Sequence, residues 1–295
     1  MKRVLITGAN SYIGNSFEEY AAEKYPDQFH ITKISMRDGS WQNYDFSAYD
    51  IVFHVAGIAH ADVGSVNEET KAKYYVVNTD LAIKVAKKAK EAGVGQFVFM
   101  SSAIIYGDSA PYGNQKIITR DTKPEPANFY GDSKLQADLG IQKLADCKFL
   151  TCILRPPMIY GKGSKGNYPT LAKMAKKLPA FPDVENRRSM LYIENLCEFL
   201  FQVMIRSESG VFFPQNAEYT RTSEMVRMIA EVSGHRIVVS KALNWIVELA
   251  EAIPGKTRGL ANKAFGNLCY EASISQYDFE YQVVSLRESI IRTEG

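Results

Sequence analysis

The feature that most constrains this chain is a short apolar run that ends in spaced small residues. Arg3-Val4-Leu5-Ile6-Thr7 is rich in branched side chains and leads directly into Gly8-Ala9-Asn10-Ser11-Tyr12-Ile13-Gly14. A run of that kind reads as a parallel strand buried on both faces. Gly8 allows a tight turn out of the strand, and Gly14 allows the following helix to pack closely on the sheet. The free N–H groups at such a helix start suit a pyrophosphate. The spacing here is Gly8-x-x-Ser11-x-x-Gly14, not GxGxxG, with serine at the centre. Alone, the fragment leaves an ordinary βα turn as open as a nucleotide site.

The rest of the chain repeats the unit. His30–Ser35, Ile51–Val55, Gln96–Met100 and Phe149–Leu154 read as further buried strands. Val76 to Ala92 has helical spacing, with Val77, Leu81, Val85 and Ala89 on one stripe and Gly93 as the stop. Lys84, Lys87, Lys88 and Lys90 lie largely off that stripe and read as a solvated face. Tyr130 to Ala145 reads as another helix. Alternating strands and helices imply an α/β fold, a Rossmann-type doubly wound parallel sheet. The second half reads as a smaller C-terminal substrate lobe interleaved with it. Residues 1–165 and 189–216 are assigned to the dinucleotide-binding domain, and residues 166–188 and 217–295 to the lobe. Ligands in such sheets sit at the carboxyl ends of the strands, where Gly8, Ala56, Ser102 and Arg155 fall.

Tyr130-Gly131-Asp132-Ser133-Lys134 carries the chemistry. A tyrosine and a lysine four apart on a helix lie on one face. A nearby ammonium favours the phenolate and lowers the phenol pKa, which suits a general acid/base near neutral pH. Ser102 supplies a hydroxyl at the end of the fourth strand.

In this order the motifs identify a resemblance to the extended short-chain dehydrogenase/reductase family, the NAD-dependent epimerase/dehydratase group. It rests on Thr7–Gly14, His54-Val55-Ala56-Gly57, Asn78, Ser101–Gly107, Tyr130-x-x-x-Lys134 and Leu154–Gly161. The resemblance implies a nicotinamide cofactor and a nucleotide-activated sugar. By position it implies Tyr130 as the proton donor or acceptor, with Lys134 holding the nicotinamide ribose. Ser102 would bond the same sugar oxygen as Tyr130. It also implies Gly8, Asn10, Ser11, Tyr12, Ile13, Gly14, Ala56, Gly57 and Asn78 at the cofactor, and Ala103 beside the substrate. Ser11 stands where the family pattern usually has a third glycine.

Cofactor choice turns on the end of the second strand. An acid there would bind the ribose hydroxyls of NAD, whereas Ser35 and Arg37 suit the extra phosphate of NADP. The expectation is NADP, with NAD possible through Asp38. Asp45-Phe46 resembles the family position that meets the adenine amino group. In the lobe, the resemblance assigns Asn167 and Arg188 to the nucleotide diphosphate, with Arg187 as the rival. His60 either faces the substrate or is an ordinary loop histidine. Thr222 or Ser223 is expected to cap a helix through Val232.

A closer resemblance points to bacterial capsule and O-antigen cluster reductases. It rests on Leu154–Gly161, Gly166-Asn167-Tyr168, Arg188–Ile193 and Phe265–Tyr270. Those enzymes reduce the C4 ketone of UDP-linked 4-keto-6-deoxy-N-acetylhexosamines. A 4,6-dehydratase would need Asp-Glu after the hydroxyl residue, where this chain has Ala103-Ile104. A UDP-hexose 4-epimerase would use the same Ser102, Tyr130 and Lys134, but Met158 replaces an asparagine common in such epimerases. A non-catalytic NAD(P)-sensing binding protein would need the phosphate loop without the tyrosine–lysine pair.

At 295 residues the chain can bury a sizeable core, and its net charge of +2 makes no case for nucleic acid. Four dispersed cysteines, no metal-type cluster and no leader-like opening fit a cytoplasmic protein with reduced thiols. Ala242–Ile253 is apolar but too short to span a bilayer. A homodimer packed through helices beside Tyr130 is the family expectation.

Overall fold

The structure, a computed structural model, describes residues 1–59 and 66–295. Its elements begin with β1 (Lys2–Thr7), α1 (Tyr12–Lys24), β2 (Phe29–Ile34), β3 (Ile51–His54), α2 (Glu68–Tyr74), α3 (Leu81–Glu91), β4 (Gln96–Met100), β5 (Ile117–Ile118) and α4 (Phe129–Gln142). There follow β6 (Leu150–Leu154), β7 (Met158–Tyr160), α5 (Asn167–Lys177), β8 (Ala180–Pro182), β9 (Met190–Tyr192), α6 (Ile193–Ile205) and β10 (Gly210–Phe212). The chain closes with α7 (Thr222–Val232), β11 (Val238–Ser240), α8 (Asn244–Ala252), α9 (Lys256–Phe265), β12 (Cys269–Tyr270) and α10 (Leu286–Glu294).

The central sheet is parallel throughout, in the order β10-β6-β4-β3-β1-β2. Side-chain alternation divides each strand between two cores. Val4, Ile6, Phe53, Val98, Cys152 and Leu154 face the α1 and α6 side. Leu5, Val52, Phe97, Phe99 and Ile153 face α3 and α4, meeting Val85, Ala89, Ala137 and Ile141. Fully burying one such large apolar side chain contributes about 1.5–3 kcal/mol. This two-sided burial explains why the strands read as continuous apolar runs.

The chain builds β2 on one side of β1, then returns to build β3, β4, β6 and β10 on the other. The reversal between β1 and β3 opens the crevice in which such sheets take ligands. Register aligns the strand ends there: Thr7 pairs with His54, His54 with Phe99, and Met100 with Leu154. The connection from β2 to β3 holds only a 3-10 turn at Ser40–Gln42.

Two local expectations need correction. The helix predicted from Val76 begins at Glu68 and runs through a π-helical segment, Tyr75–Asp80, before α3. Its first part lacks an apolar stripe, so periodicity does not announce it. Neither Thr222 nor Ser223 caps α7 with its own hydroxyl. Asn186 Oδ1 accepts from the Thr222 N–H at 2.9 Å, and Ser223 Oγ accepts from Val184 N at 2.8 Å. A side chain from a distant segment took the capping role.

Candidate active site

The loop after β1 is shaped by contacts that leave no room for side chains. Gly8 has φ +129°, and a Cβ there would lie 3.0 Å from Ala56 N. A Cβ on Gly14 would lie 2.5 Å from Ser11 Oγ and 3.0 Å from Ile6 Cγ2. Ser11 is the N-cap of α1, and its hydroxyl accepts from Gly14 N at 3.1 Å. The serine therefore turns inward, toward its own helix. The first-turn N–H groups of Tyr12 and Ile13 have no intrahelical acceptor. Asn10 is exposed beside them. A glycine-lined cradle with outward N–H groups fits an anionic pyrophosphate.

Across the crevice, Lys134 is buried on α4. Its ammonium donates to the Met100 carbonyl at 2.7 Å and lies 4.9 Å from the Phe99 ring centroid. Burial lowers its pKa to about 8, and Asp138 opposes that fall. A Cβ on Gly57 would come within 3.1 Å of Asn78 Oδ1 and 3.7 Å of Lys134 Nζ. Asn78 sits in the π-helical segment. Its Oδ1 accepts from Ile58 N at 2.7 Å, and its Nδ2 donates to Ile58 O at 3.0 Å and Ser133 Oγ at 3.2 Å. The wider turn aims this amide sideways and pins the Ala56-Gly57-Ile58 loop to α4.

Asn128 caps α4 through the Gly131 N–H at 3.0 Å. A Cβ on Gly131 would lie 2.9 Å from the Ile104 carbonyl, so glycine lets the start of α4 rest on the turn that follows Ser102. Ser102 caps that 3-10 turn, Ala103–Tyr106, accepting from Ile104 N at 3.3 Å. Ala103 is buried, and its N–H donates to Pro156 O at 2.8 Å. Tyr130 packs edge-on to Tyr74 at 5.9 Å. Its phenol departs from expectation. Burial, with Tyr74 second, pushes it up to about 12. The Lys134 ammonium is instead held on the Met100 carbonyl at the sheet.

A family model described as the NAD dependent epimerase/dehydratase family matches residues 4–212. The chain belongs to the NAD-dependent epimerase/dehydratase family. It is an NAD(P)-dependent enzyme of this group of sugar-nucleotide epimerases, dehydratases and reductases. It is 30% identical over 252 residues to a UDP-glucose 4-epimerase of Vibrio cholerae, covering 78% of this chain and 75% of that protein. It is 27% identical over 213 residues to an N-acetyl-alpha-D-glucosaminyl-diphospho-ditrans,octacis-undecaprenol 4-epimerase of Escherichia coli O157:H7, covering 67% of this chain and 61% of that one. Its fold matches a dTDP-4-dehydrorhamnose reductase from Bacillus anthracis, solved with NADP, at TM-score 0.72 and 20% identity over 99% and 98% of the two chains.

In this family member, β2 ends at Ile34. Ser35 Oγ accepts from Arg37 N at 3.3 Å, and Arg37 is exposed. The Asp38 carboxylate is turned back onto Ser40, accepting from its N–H at 3.1 Å and its hydroxyl at 2.7 Å. Asp45 makes the same kind of turn, with Ser47, while Phe46 is buried under the Lys88 ammonium at 5.1 Å. In the lobe, Asn167 is the exposed first residue of α5. Arg188 is half-buried, and its Nη1 donates to the Gly266 carbonyl at 3.0 Å. Burial lowers its pKa, and no carboxylate pairs with it among the described residues. Arg187 is exposed and stacks 4.3 Å from the Tyr219 ring centroid. His60 lies outside the described residues.

Asp138 was not anticipated. It is fully buried and one turn beyond Lys134 on the same face. The one signal for it was a carboxylate beside Ala137 and Ile141 in the apolar stripe of α4. Nothing in the sequence linked Gly266 to Arg188, 78 residues apart.

Proposed function

We propose that this enzyme is an NADP-preferring reductase of the C4 ketone of a UDP-4-keto-6-deoxy-N-acetylhexosamine, acting in the cytoplasm in surface polysaccharide biosynthesis. The observation that carries this reading is the arrangement after β2. Asp38 is turned through Oδ1 onto Ser40, and the Ser35 hydroxyl and the exposed Arg37 guanidinium stand at the strand end. A guanidinium and a hydroxyl suit a phosphate better than a ribose diol. Preference for NADP favours a one-way reduction in which the cofactor exchanges each turnover.

Gly8, Ser11, Tyr12, Ile13 and Gly14 would cradle the pyrophosphate, and Lys134, Asn78 and Gly57 would meet the nicotinamide half. A nicotinamide held there would supply the hydride for C4. Tyr130 delivers a proton to the ketone oxygen, and Ser102 orients that oxygen by a hydrogen bond. A phenol kept protonated by burial is in the right state for a donor. Arg188 and Asn167 would hold the nucleotide diphosphate. An enclosed guanidinium without a carboxylate partner among the described residues supports Arg188 over the stacked Arg187. Residues 166–188 and 217–295 form the substrate lobe in this reading. Exposed Val76 and Leu139, beside the site on neighbouring helices, support pairing of two copies.

The second reading is a 4-epimerase, favoured by the Vibrio cholerae relative. Both readings use the same three residues. They separate in one assay: NADPH oxidation with UDP-4-keto-6-deoxy-N-acetylglucosamine. Stoichiometric oxidation with a 6-deoxy sugar product supports the reductase. No oxidation, with isomerisation of a UDP-hexose instead, rejects it. Tyr130→Phe should abolish turnover and leave cofactor binding intact; retained activity would remove Tyr130 from its role.

A further inference from the structure

We infer that the hairpin of α8 and α9 docks this protein on an anionic membrane surface. On α8 the buried side chain is Val247, and the opposite face carries Trp245, Ile246 and Leu249, with exposed Ile253 following at the helix end. At 100° per residue the three helical residues fall on one stripe. A surface helix of a globular protein ordinarily turns its polar face outward. This helix turns its apolar face outward, with Trp245 59% exposed and Leu249 54% exposed. On α9 only Ala261 is buried among its apolar residues, and Leu260 is 67% exposed.

Charge selects the partner. The α9 sequence carries Lys256, Arg258 and Lys263 and no acidic residue. On α8, Glu251 is turned inward, accepting from Tyr112 N at 2.8 Å, which leaves Glu248 as the outward acid. A short helix pair with outward tryptophan and aliphatics and a basic flank has the composition of an interfacial anchor. Tryptophan favours the headgroup level, and lysine and arginine are drawn to anionic lipid. No helix among the described residues is long and apolar enough to cross a membrane, so the hairpin lies on the surface.

The hairpin is joined to the candidate site. α9 is followed by its C-cap Gly266, whose carbonyl accepts from Arg188. If Arg188 binds a diphosphate, as proposed above, docking brings that subsite to the bilayer. Docking itself does not depend on that reading.

The test is co-sedimentation of the full chain with vesicles of equimolar phosphatidylglycerol and phosphatidylcholine, against pure phosphatidylcholine. Tryptophan emission is read in parallel, since Trp41 is buried and Trp245 is exposed. The expected result is binding to the anionic vesicles, weakened by salt, with a blue shift of the Trp245 emission. Trp245→Ser combined with Leu249→Ser should reduce binding about tenfold. Arg258→Glu with Lys263→Glu should remove the preference for anionic lipid. All four residues are exposed, Arg258 also donating through Nε to the Glu251 carbonyl at 2.7 Å, and retention of the fold in each variant is checked by its Tm. Absence of both sedimentation and blue shift overturns the proposal. So does a lipid-free dimer that the Trp245 and Leu249 substitutions dissociate, since a second copy would then cover the face.

Discussion

Arg155 grips Asp138 side-on, Nε to Oδ2 at 2.9 Å and Nη2 to Oδ1 at 2.8 Å. The same carboxylate accepts from Ser101 Oγ at 2.6 Å and Gln142 Nε2 at 2.5 Å. Arg155 in turn donates to the Tyr106 hydroxyl at 2.8 Å. This buried cluster ties the carboxyl ends of β4 and β6 to α4, beneath the Lys134 ammonium.

Asp138→Asn keeps the shape and removes the charge. Arg155 is then a buried cation facing an amide, a change expected to cost about 3–5 kcal/mol. Urea unfolding of the variant measures it. The pKa of Lys134 should also fall further, because Asp138 is what holds it up. A loss below about 1 kcal/mol would mean that the pair is compensated elsewhere.

Lys134 makes stability depend on alkaline pH. Its pKa is lowered to about 8 in the folded state, against 10.5 when unperturbed. Between those values the unfolded chain binds more protons, so this group's contribution to stability rises with pH. The full window is worth about 3 kcal/mol at about 1.4 kcal/mol per unit. Comparing the pH dependence of unfolding for wild type and Lys134→Met isolates it. The wild type should gain on the variant from pH 8 upward, and parallel curves would contradict the assignment.

His54 acts at the acid end. It is fully buried, hydrogen-bonded to Thr7 Oγ1 at 2.7 Å, and stacked 6.0 Å from both Phe97 and Phe99. Burial, helped by the Lys134 charge, lowers its pKa to about 3. The unfolded chain takes up this proton near 6.5, so stability is lost as pH falls from 6.5 toward 3. His54→Phe should flatten the fall of Tm across that range. An unchanged slope would show that other groups control the acid transition.

Gly14→Ala should loosen the loop after β1, the proposed pyrophosphate cradle. The added Cβ meets Ser11 Oγ at 2.5 Å and must displace the cap. Loss of an N-cap costs about 1 kcal/mol. Ser11→Ala loses the cap alone and serves as the comparison. If the two variants bind NADPH equally well in fluorescence titration, the Gly14 contact has no bearing on the cofactor.

Much of the α/β frame was legible because each cue is local. Continuous apolar runs marked β1, β3, β4 and β6, since a sheet covered on both faces needs no alternation. Gly8 and Gly14 marked the tight turn out of β1 and the close packing of α1. The α2 segment was illegible because its residues Glu68–Lys73 have no apolar face to display. Ser11 looked like a departure until its hydroxyl was found capping its own helix.

Side-chain partners were a different matter. Arg187 and Arg188 are neighbours of identical chemistry, and the sequence offered no ground for choosing. Folding stacked one on Tyr219 and enclosed the other against Gly266. Tyr130 and Lys134 were placed on one face by helical spacing, but their proton affinities came from what surrounds them. The sequence by itself determined the alternation of the main sheet strands with their helices, the glycine positions and the family, because periodicity and turn geometry act over a few residues. Only the tertiary structure decided which charges are buried, which are paired and how far each pKa moves. Those depend on desolvation by residues that are remote along the chain.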